Sequence, residues 1–337
     1  MIKAKLIFKL LVALALFSST AIAQKKKYEF VHNKNVSQTY AALAGDKLTI
    51  DNQFGDVIIK TWNRNEVKVD ISVEASSTIK EDAEELFNRI DIQHGKSGNI
   101  ISFKTKMEDR KDKDRRDHTG DKGQHSNEMD IHYEVNMPAN LALELKNRFG
   151  KSLVPDLTGK VDIDEQFGDL NAGRLSNPGK IIVKFGSATI EGLNDATLDL
   201  QFISNVATLK NATGSLDVNT NFCQKNGVVI YTSALSALHV KANYSDVVLV
   251  VPKDASAGFT VNTQWGSLKN HTAFNIAKDG SEEDNNTRHY GPRFSNSYSG
   301  TAGTGKNKYT LKGNFSDFVI THEAPAMKDY KKKTASL

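Results

Sequence analysis

The sequence predicts an all-β chain, a parallel β-solenoid (β-helix-like) with one short amphipathic helix in an N-terminal insertion. Three observations point there. An aromatic followed by a small residue and then a polar one recurs nine times: Phe54-Gly55-Asp56, Phe149-Gly150-Lys151, Phe167-Gly168-Asp169, Phe185-Gly186-Ser187, Phe202-Ile203-Ser204, Phe222-Cys223-Gln224, Tyr244-Ser245-Asp246, Trp265-Gly266-Ser267 and Phe315-Ser316-Asp317. From Phe149 to Trp265 the copies stand 18, 18, 17, 20, 22 and 21 residues apart, which is the length of a solenoid coil and too short for a helical crossover. Apolar residues precede the aromatic by four and six positions, as in Leu143/Leu145, Val161/Ile163 and Leu216/Val218, with polar residues between them. That alternation is a strand with one buried and one wet face. An antiparallel sandwich is the competing architecture, but a meander needs hairpin turns, and Asn-Gly occurs only at Asn226-Gly227.

Residues 1–23 have the parts of a secretory signal: Lys3, Lys5 and Lys9, the apolar run Leu10 to Phe17, and a small-residue cleavage site at Ala21-Ile22-Ala23. The apolar run is shorter than the roughly 20 residues of a spanning helix. The expected product starts at Gln24, has no transmembrane span, and is periplasmic or extracellular. Residues 24–45 read as a linker and 46–146 as an N-terminal β region. Within it Glu66 to Ala75 alternates as a strand, and Thr78 to Ile90 reads as a helix, with a capping box at Thr78-Ile79-Lys80-Glu81 and apolar Ile79, Ala83, Leu86, Phe87 and Ile90. Residues 107–127 carry charge of both signs and little to bury, the pattern of a solvated loop.

The repeats proper span 147–270. If each stacks on the next, parallel strands lie about 4.8 Å apart and the equivalent aromatics form an internal ladder. Glycine after the aromatic is expected to supply backbone angles other residues resist. Residues 271–308 read as a flexible loop, 309–322 as closing strands and 323–337 as a polar tail.

The run Leu48 to Val57, the Phe-Gly-Asp and Phe-Gly-Ser corners, and Val250-Val251-Pro252 ahead of Trp265-Gly266-Ser267 resemble exported bacterial adhesin-like β-strand-repeat proteins of unknown function, relatives of auto-transporter adhesin head domains. The resemblance covers roughly residues 46 to 322. It implies a β-solenoid, an envelope or extracellular location and no established catalytic residues. The charged insertion departs from the simplest members.

Composition and chemistry narrow the function. With 39% hydrophobic and 25% charged residues among 337, the chain is neither wholly disordered nor a multi-span membrane protein. Three of its 44 Lys and Arg precede the cleavage site, leaving 41 against 40 acidic residues, which gives no footprint for nucleic acid. Cys223 is the only cysteine, so no intrachain disulfide forms; it reads as a buried small residue. Gly300 to Lys306 has P-loop spacing, but Asn307 replaces the magnesium-binding hydroxyl and a strand follows where a helix should. Asp117, His118, Asp121 and His125 match no zinc spacing and lie in the charged loop, while His132 and Glu134 share a strand face.

The corner carboxylates Asp56, Asp169, Asp246 and Asp317 could hold calcium or serve polysaccharide chemistry. Lys151, Ser187, Ser204, Gln224 and Ser267 fill the same slot in other units, so a turn-forming polar residue is the better reading. The sequence therefore predicts no catalytic, cofactor or metal residues. It points to a non-catalytic envelope or surface protein, adhesin-like or a scaffold, with a glycan or an envelope protein as partner. A carbohydrate-binding module and a β-helical polysaccharide lyase or hydrolase are the alternatives.

Overall fold

The computed structural model describes residues 28–109, 126–223, 227–279 and 295–324. The expected export signal at residues 1–23, most of the charged insertion, and residues 325–337 lie outside them. Strands β1 (Phe30–Ala41), β2 (Lys47–Gln53), β3 (Val57–Thr61) and β4 (Glu66–Ser77) precede helix α1 (Lys80–Asn88). After it come β5 (Ile90–Ser97), β6 (Ile100–Met107), β7 (Asn127–Met137), β8 (Ala142–Arg148), β9 (Lys151–Val154), β10 (Leu157–Gln166), β11 (Asp169–Lys184) and β12 (Ser187–Gln201). The series continues with β13 (Ala207–Leu209), β14 (Ala212–Asn221), β15 (Val228–Tyr231), β16 (Ala234–Asn243) and β17 (Val247–Val250). It ends with β18 (Ala257–Gln264), β19 (Leu268–Asn270), β20 (Asn275–Lys278), β21 (Ser295–Ala302), β22 (Asn307–Asn314) and β23 (Phe318–Thr321). The chain is all-β, with one helix among the described residues.

Every aromatic corner joins two strands, and the units pair like with like. Before the corner, Ile50, Leu145, Ile163, Ile181, Leu198, Val218, Val240, Leu311 and Val261 register side by side in one parallel ladder. All are buried. After the corner, Val57, Ser152, Leu170, Ala188, Ala207, Val228, Val247, Phe318 and Leu268 do the same. The long strands β11 and β12 serve both ladders, pairing by their first halves in one and their second halves in the other. Apolar side chains at period two thus face one shared interior, and each fully buried Leu, Ile or Val contributes about 1.5 to 3 kcal/mol.

Antiparallel pairing is confined to the two ends. At the first, β1 pairs β4 and β4 pairs β7, while β5 pairs β6. At the other, β21 lies antiparallel to β18 and β20 to β21. Two segments expected without structure are therefore strands. Residues 24–45 contain β1, whose inward positions His32, Lys34 and Gln38 hide the alternation from an apolar count. Within 271–308, β21 is mostly Ser, Asn, Thr and Gly and pairs with β18, and β20 pairs with β21; Ile276 and Tyr298 pack against the core, and Asp279 accepts from Ser297 and Ser299.

Chain order and spatial order part at the C-terminal end. Strand β22 pairs β16 on one side and β18 on the other, and β23 sits between β17 and β19. The Phe315 unit, last in sequence, is wedged between the Tyr244 and Trp265 units. The helix also differs from expectation at its start. Its N-cap is Ile79 with no side-chain cap, and Ser77 Oγ accepts from Ile79 N at 3.0 Å, so the Thr78/Glu81 capping box is not made.

Candidate functional site

The corners carry the unusual chemistry of this molecule. All nine aromatics adopt positive φ, between 48° and 64°. That conformation costs a non-glycine residue about 1 to 2 kcal/mol. The expectation that glycine supplies the strained angle is corrected: the aromatic takes it. Glycine is needed for close approach, since a Cβ on Gly168 would stand 1.6 Å from the Gly150 carbonyl oxygen and one on Gly186 1.7 Å from that of Gly168. The ring residue's N–H is spent on the neighbouring unit, as in Phe167 N to Lys184 O at 2.9 Å and Tyr244 N to Asn314 O at 2.9 Å.

The rings stack in one series: Phe54, Phe149, Phe167, Phe185, Phe202, Phe222, Tyr244, Phe315, Trp265. Centroids are 4.6 to 5.7 Å apart and adjacent planes lie within 12°. The expected series is present, extended by Phe54 and with Phe315 inserted before Trp265. Its expected place inside the molecule is corrected: the eight rings from Phe149 to Trp265 are 41% to 52% exposed. Positive φ turns Cβ out of the inward row that strand alternation would assign it. Eight half-exposed rings present roughly 700 Å² of apolar surface, against about 300 to 600 Å² for the largest patch of an ordinary monomer.

Polar rows flank this stripe. Just before each ring stand Gln166, Lys184, Gln201, Asn221, Asn243 and their equivalents; Asn243 donates to Asn221 Oδ1 at 3.0 Å. On the other side the corner carboxylates tie unit to unit. Asp56 Oδ1 accepts from Lys151 N at 2.7 Å, Asp169 Oδ1 from Ser187 Oγ at 2.6 Å, and Asp246 Oδ1 from Asp317 N at 3.1 Å. Asp317 accepts from Ser267 and Lys269; burial pushes its carboxyl up, but those two partners hold it below the usual carboxylate range. The turn-forming role read from sequence extends to bracketing between units.

Where consecutive corners carry glycine, the stripe borders a shallow open groove of about 340 Å³. Phe149, Phe167 and Phe185 form one wall, Gly150, Gly168 and Gly186 the floor, and Asp56, Lys151, Asp169 and Ser204 the other side. Beneath it runs a buried polar line: Tyr133 to Thr105 (2.9 Å), Thr105 to Asn52 (3.0 Å), Asn52 to Asn147 (3.2 Å), Asn147 to Ser152 (3.2 Å) and Ser152 to Glu165 Oε2 (2.5 Å). Glu165 Oε1 has no hydrogen-bond partner among the described residues. Burial pushes this carboxyl up to about 8, with Ser152 opposing and Asp169, Asp56 and Asp164 adding to the rise. Sequence reading missed Glu165, although its place two residues before a corner, in register with inward Asn147 and Val183, was the available signal.

The other residues singled out in the sequence do not assemble into a site. Cys223 is buried, with Thr220 Oγ1 at 2.9 Å and the carbonyls of Leu200 and Asn221 at 3.7 Å. His132 and Glu134 share the outer face of β7, where Glu134 pairs with Lys60. Asp117, His118, Asp121 and His125 lie outside the described residues. Among the described ones no three His, Cys, Asp or Glu converge as metal ligands. Gly300 to Lys306 spans the end of β21 and the turn into β22, not a strand-to-helix loop.

The arrangement defines an all-β repeat protein with an exposed aromatic stripe. No protein-family model and no curated protein matches the chain. Three solved structures are similar over 86% of it: a candidate cell adhesion protein from Clostridium sporogenes (11% identity, 99% of that chain, TM-score 0.22), a candidate adhesin from Bacteroides fragilis (11%, 96%, 0.38) and another from Parabacteroides merdae (10%, 96%, 0.31).

Proposed function

We propose that this is an exported, non-catalytic β-solenoid protein of the envelope or cell surface, adhesin-like in its mode of action, which binds through the aromatic stripe and the rows beside it. The solenoid reading is supported by the two parallel ladders that flank every corner, since a chain that crosses from one ladder to the other and back in each unit winds around a shared core. Export is supported by the signal pattern in residues 1–23. The observation that carries the binding role is the ring series itself. Glycine or asparagine would make the same positive-φ corner with less strain, so nine aromatics there mark a use for the ring, and eight of the nine are left about half in solvent.

A polysaccharide lyase is the second reading, favoured by Asp56, Lys151 and Asp169 meeting in one groove. What speaks against it is that both carboxylates have a structural role, each holding a neighbouring unit through one oxygen, and that Ser187, Ser204 and Ser267 fill the same slot in other units. Retention of the purified protein on isolated bacterial envelopes tests the binding role. Wild type should be retained and a Phe167→Ser, Phe185→Ser, Phe202→Ser variant with native circular dichroism released; equal retention would sink the stripe as the contact surface. Turnover of acidic polysaccharide that vanishes in Asp169→Asn would instead establish an enzyme. Mass spectrometry of the exported protein should find Gln24 at its N-terminus, and an intact Met1 would count against export.

A further inference from the structure

We infer that the groove over Gly150, Gly168 and Gly186 is a subsite for a linear, uncharged glycan, lying along the stripe with one sugar ring per unit. This rests on the reading of the stripe as a binding surface and names its ligand. The groove is two-sided in character. Ring edges of Phe149, Phe167 and Phe185 make one wall, and groups that bond hydroxyls make the other. A pyranose has the same division, with apolar C–H surface on its faces and hydroxyls around its rim. An aliphatic chain would leave the polar wall unpaired, at a desolvation cost.

Charge and unspent hydrogen-bonding capacity narrow the choice. Two carboxylates and one ammonium, Asp56, Asp169 and Lys151, face the same space, so neither an anionic nor a cationic polymer gains a one-sign field. Asp56 and Asp169 each use one oxygen on a neighbouring unit. Their Oδ2 atoms take no further hydrogen bond among the described residues, and with Lys151 Nζ they offer acceptors and a donor at a spacing set by the units. A few well-placed polar groups beside an apolar wall is the usual make-up of a small-ligand site.

Period separates a glycan from a polypeptide. Centroid steps along this wall are 4.9 Å from Phe149 to Phe167 and 4.6 Å from Phe167 to Phe185. Those steps are close to the length of one sugar ring in an extended β-linked chain. A β-strand advances about 3.3 Å per residue, so it drifts out of phase with the corners within two units. A strand would also seek backbone partners, and the corner has few left. Phe149 N, Phe167 N and Phe185 N donate to the neighbouring units, and Gly168 O and Gly186 O accept from Ser187 N and Ser204 N.

Titration of the full-length secreted protein with cellohexaose, mannohexaose and xylohexaose, followed by calorimetry and amide shifts, tests the assignment. At least one neutral hexaose should bind saturably, shift the amides of Gly150, Gly168 and Gly186, and bind better than a hexamer of galacturonic acid. Asp169→Asn combined with Lys151→Ala, and separately Phe167→Leu, should each weaken it tenfold or more, while Asn33→Ala on β1 should not. Circular dichroism and melting curves check that each variant folds. Absence of binding by all three neutral hexaoses, or binding indifferent to the groove variants, overturns the glycan assignment. If the protein is still retained on envelopes, and is released when Phe167, Phe185 and Phe202 are replaced, the stripe stands as a binding surface and the glycan assignment alone falls. If envelope retention fails as well, both readings fall.

Discussion

A carboxyl group sealed into an all-β interior makes the stability of the whole chain answer to pH. Glu165 is 0% exposed, and its folded pKa of about 8 lies above its ordinary value of 4.5. Because the acid is raised, the folded state holds a proton that the unfolded state has released between these two values. Stability is therefore greatest below about pH 4.5 as far as this residue is concerned, falls by up to about 1.4 kcal/mol per pH unit as pH rises, and levels off above about 8. Glu165→Gln removes the titration and keeps a group that Ser152 can bond. Urea denaturation at pH 5 and pH 9 should show the variant gaining on wild type at the higher pH. Parallel behaviour at both would mean that Glu165 is ionised in the fold. Glu165 was overlooked in the sequence because an acid at an inward position is read as an exception to alternation, while its burial follows from register with Asn147 on the neighbouring strand.

The corner is the element that decides what this surface is. A ring in an interior ladder would cost about 3 to 5 kcal/mol on truncation to alanine. A half-exposed ring that keeps its positive φ should cost less, about 2 kcal/mol, chiefly the lost stacking of Phe185 on Phe167 and Phe202. Glycine relieves the strain that alanine inherits. Phe185→Gly should thus be no more destabilising than Phe185→Ala, and denaturant midpoints of the two variants measure the order; a much larger loss in the glycine variant would mean that φ strain is not what the corner carries. Strand alternation, apolar spacing and the recurrence of the aromatic were all readable along the chain. The direction of the ring was not, because one positive φ reverses the side that parity assigns. The same limit applies to β1, whose inward Lys34 and Gln38 conceal a strand that its twelve pairings with β4 make plain.

At the scale of the molecule, the last unit in sequence is an inner one in space. Asp246 accepts from Asp317 N across 71 residues of chain, and Asp317 in turn accepts from Ser267. Truncation after Lys306 removes β22 and β23 from between two pairs of strands, and so bares the edges of β16, β17, β18 and β19 together. Open parallel edges of that kind invite association. The truncated chain should melt many degrees lower and elute as aggregates in size-exclusion chromatography. Retention of a monomer with a melting temperature near wild type would mean that the unit is an appendage at an end.

Local regularities carried the reading as far as an all-β repeat with aromatic corners: apolar period two, unit length near 20 residues and the aromatic with a small residue after it are all properties of neighbours in the chain. Three outcomes depended on partners distant in sequence. The Phe315 unit could take the slot beside Tyr244 because its Tyr309 and Leu311 present the same inward pattern as Phe259 and Val261, so spacing alone does not rank them. The glycines at 150, 168 and 186 owe their place to carbonyls of neighbouring units. The rings stand outside because each corner must turn between two parallel ladders, and the left-handed residue that makes the turn points its side chain away from the core that both ladders share.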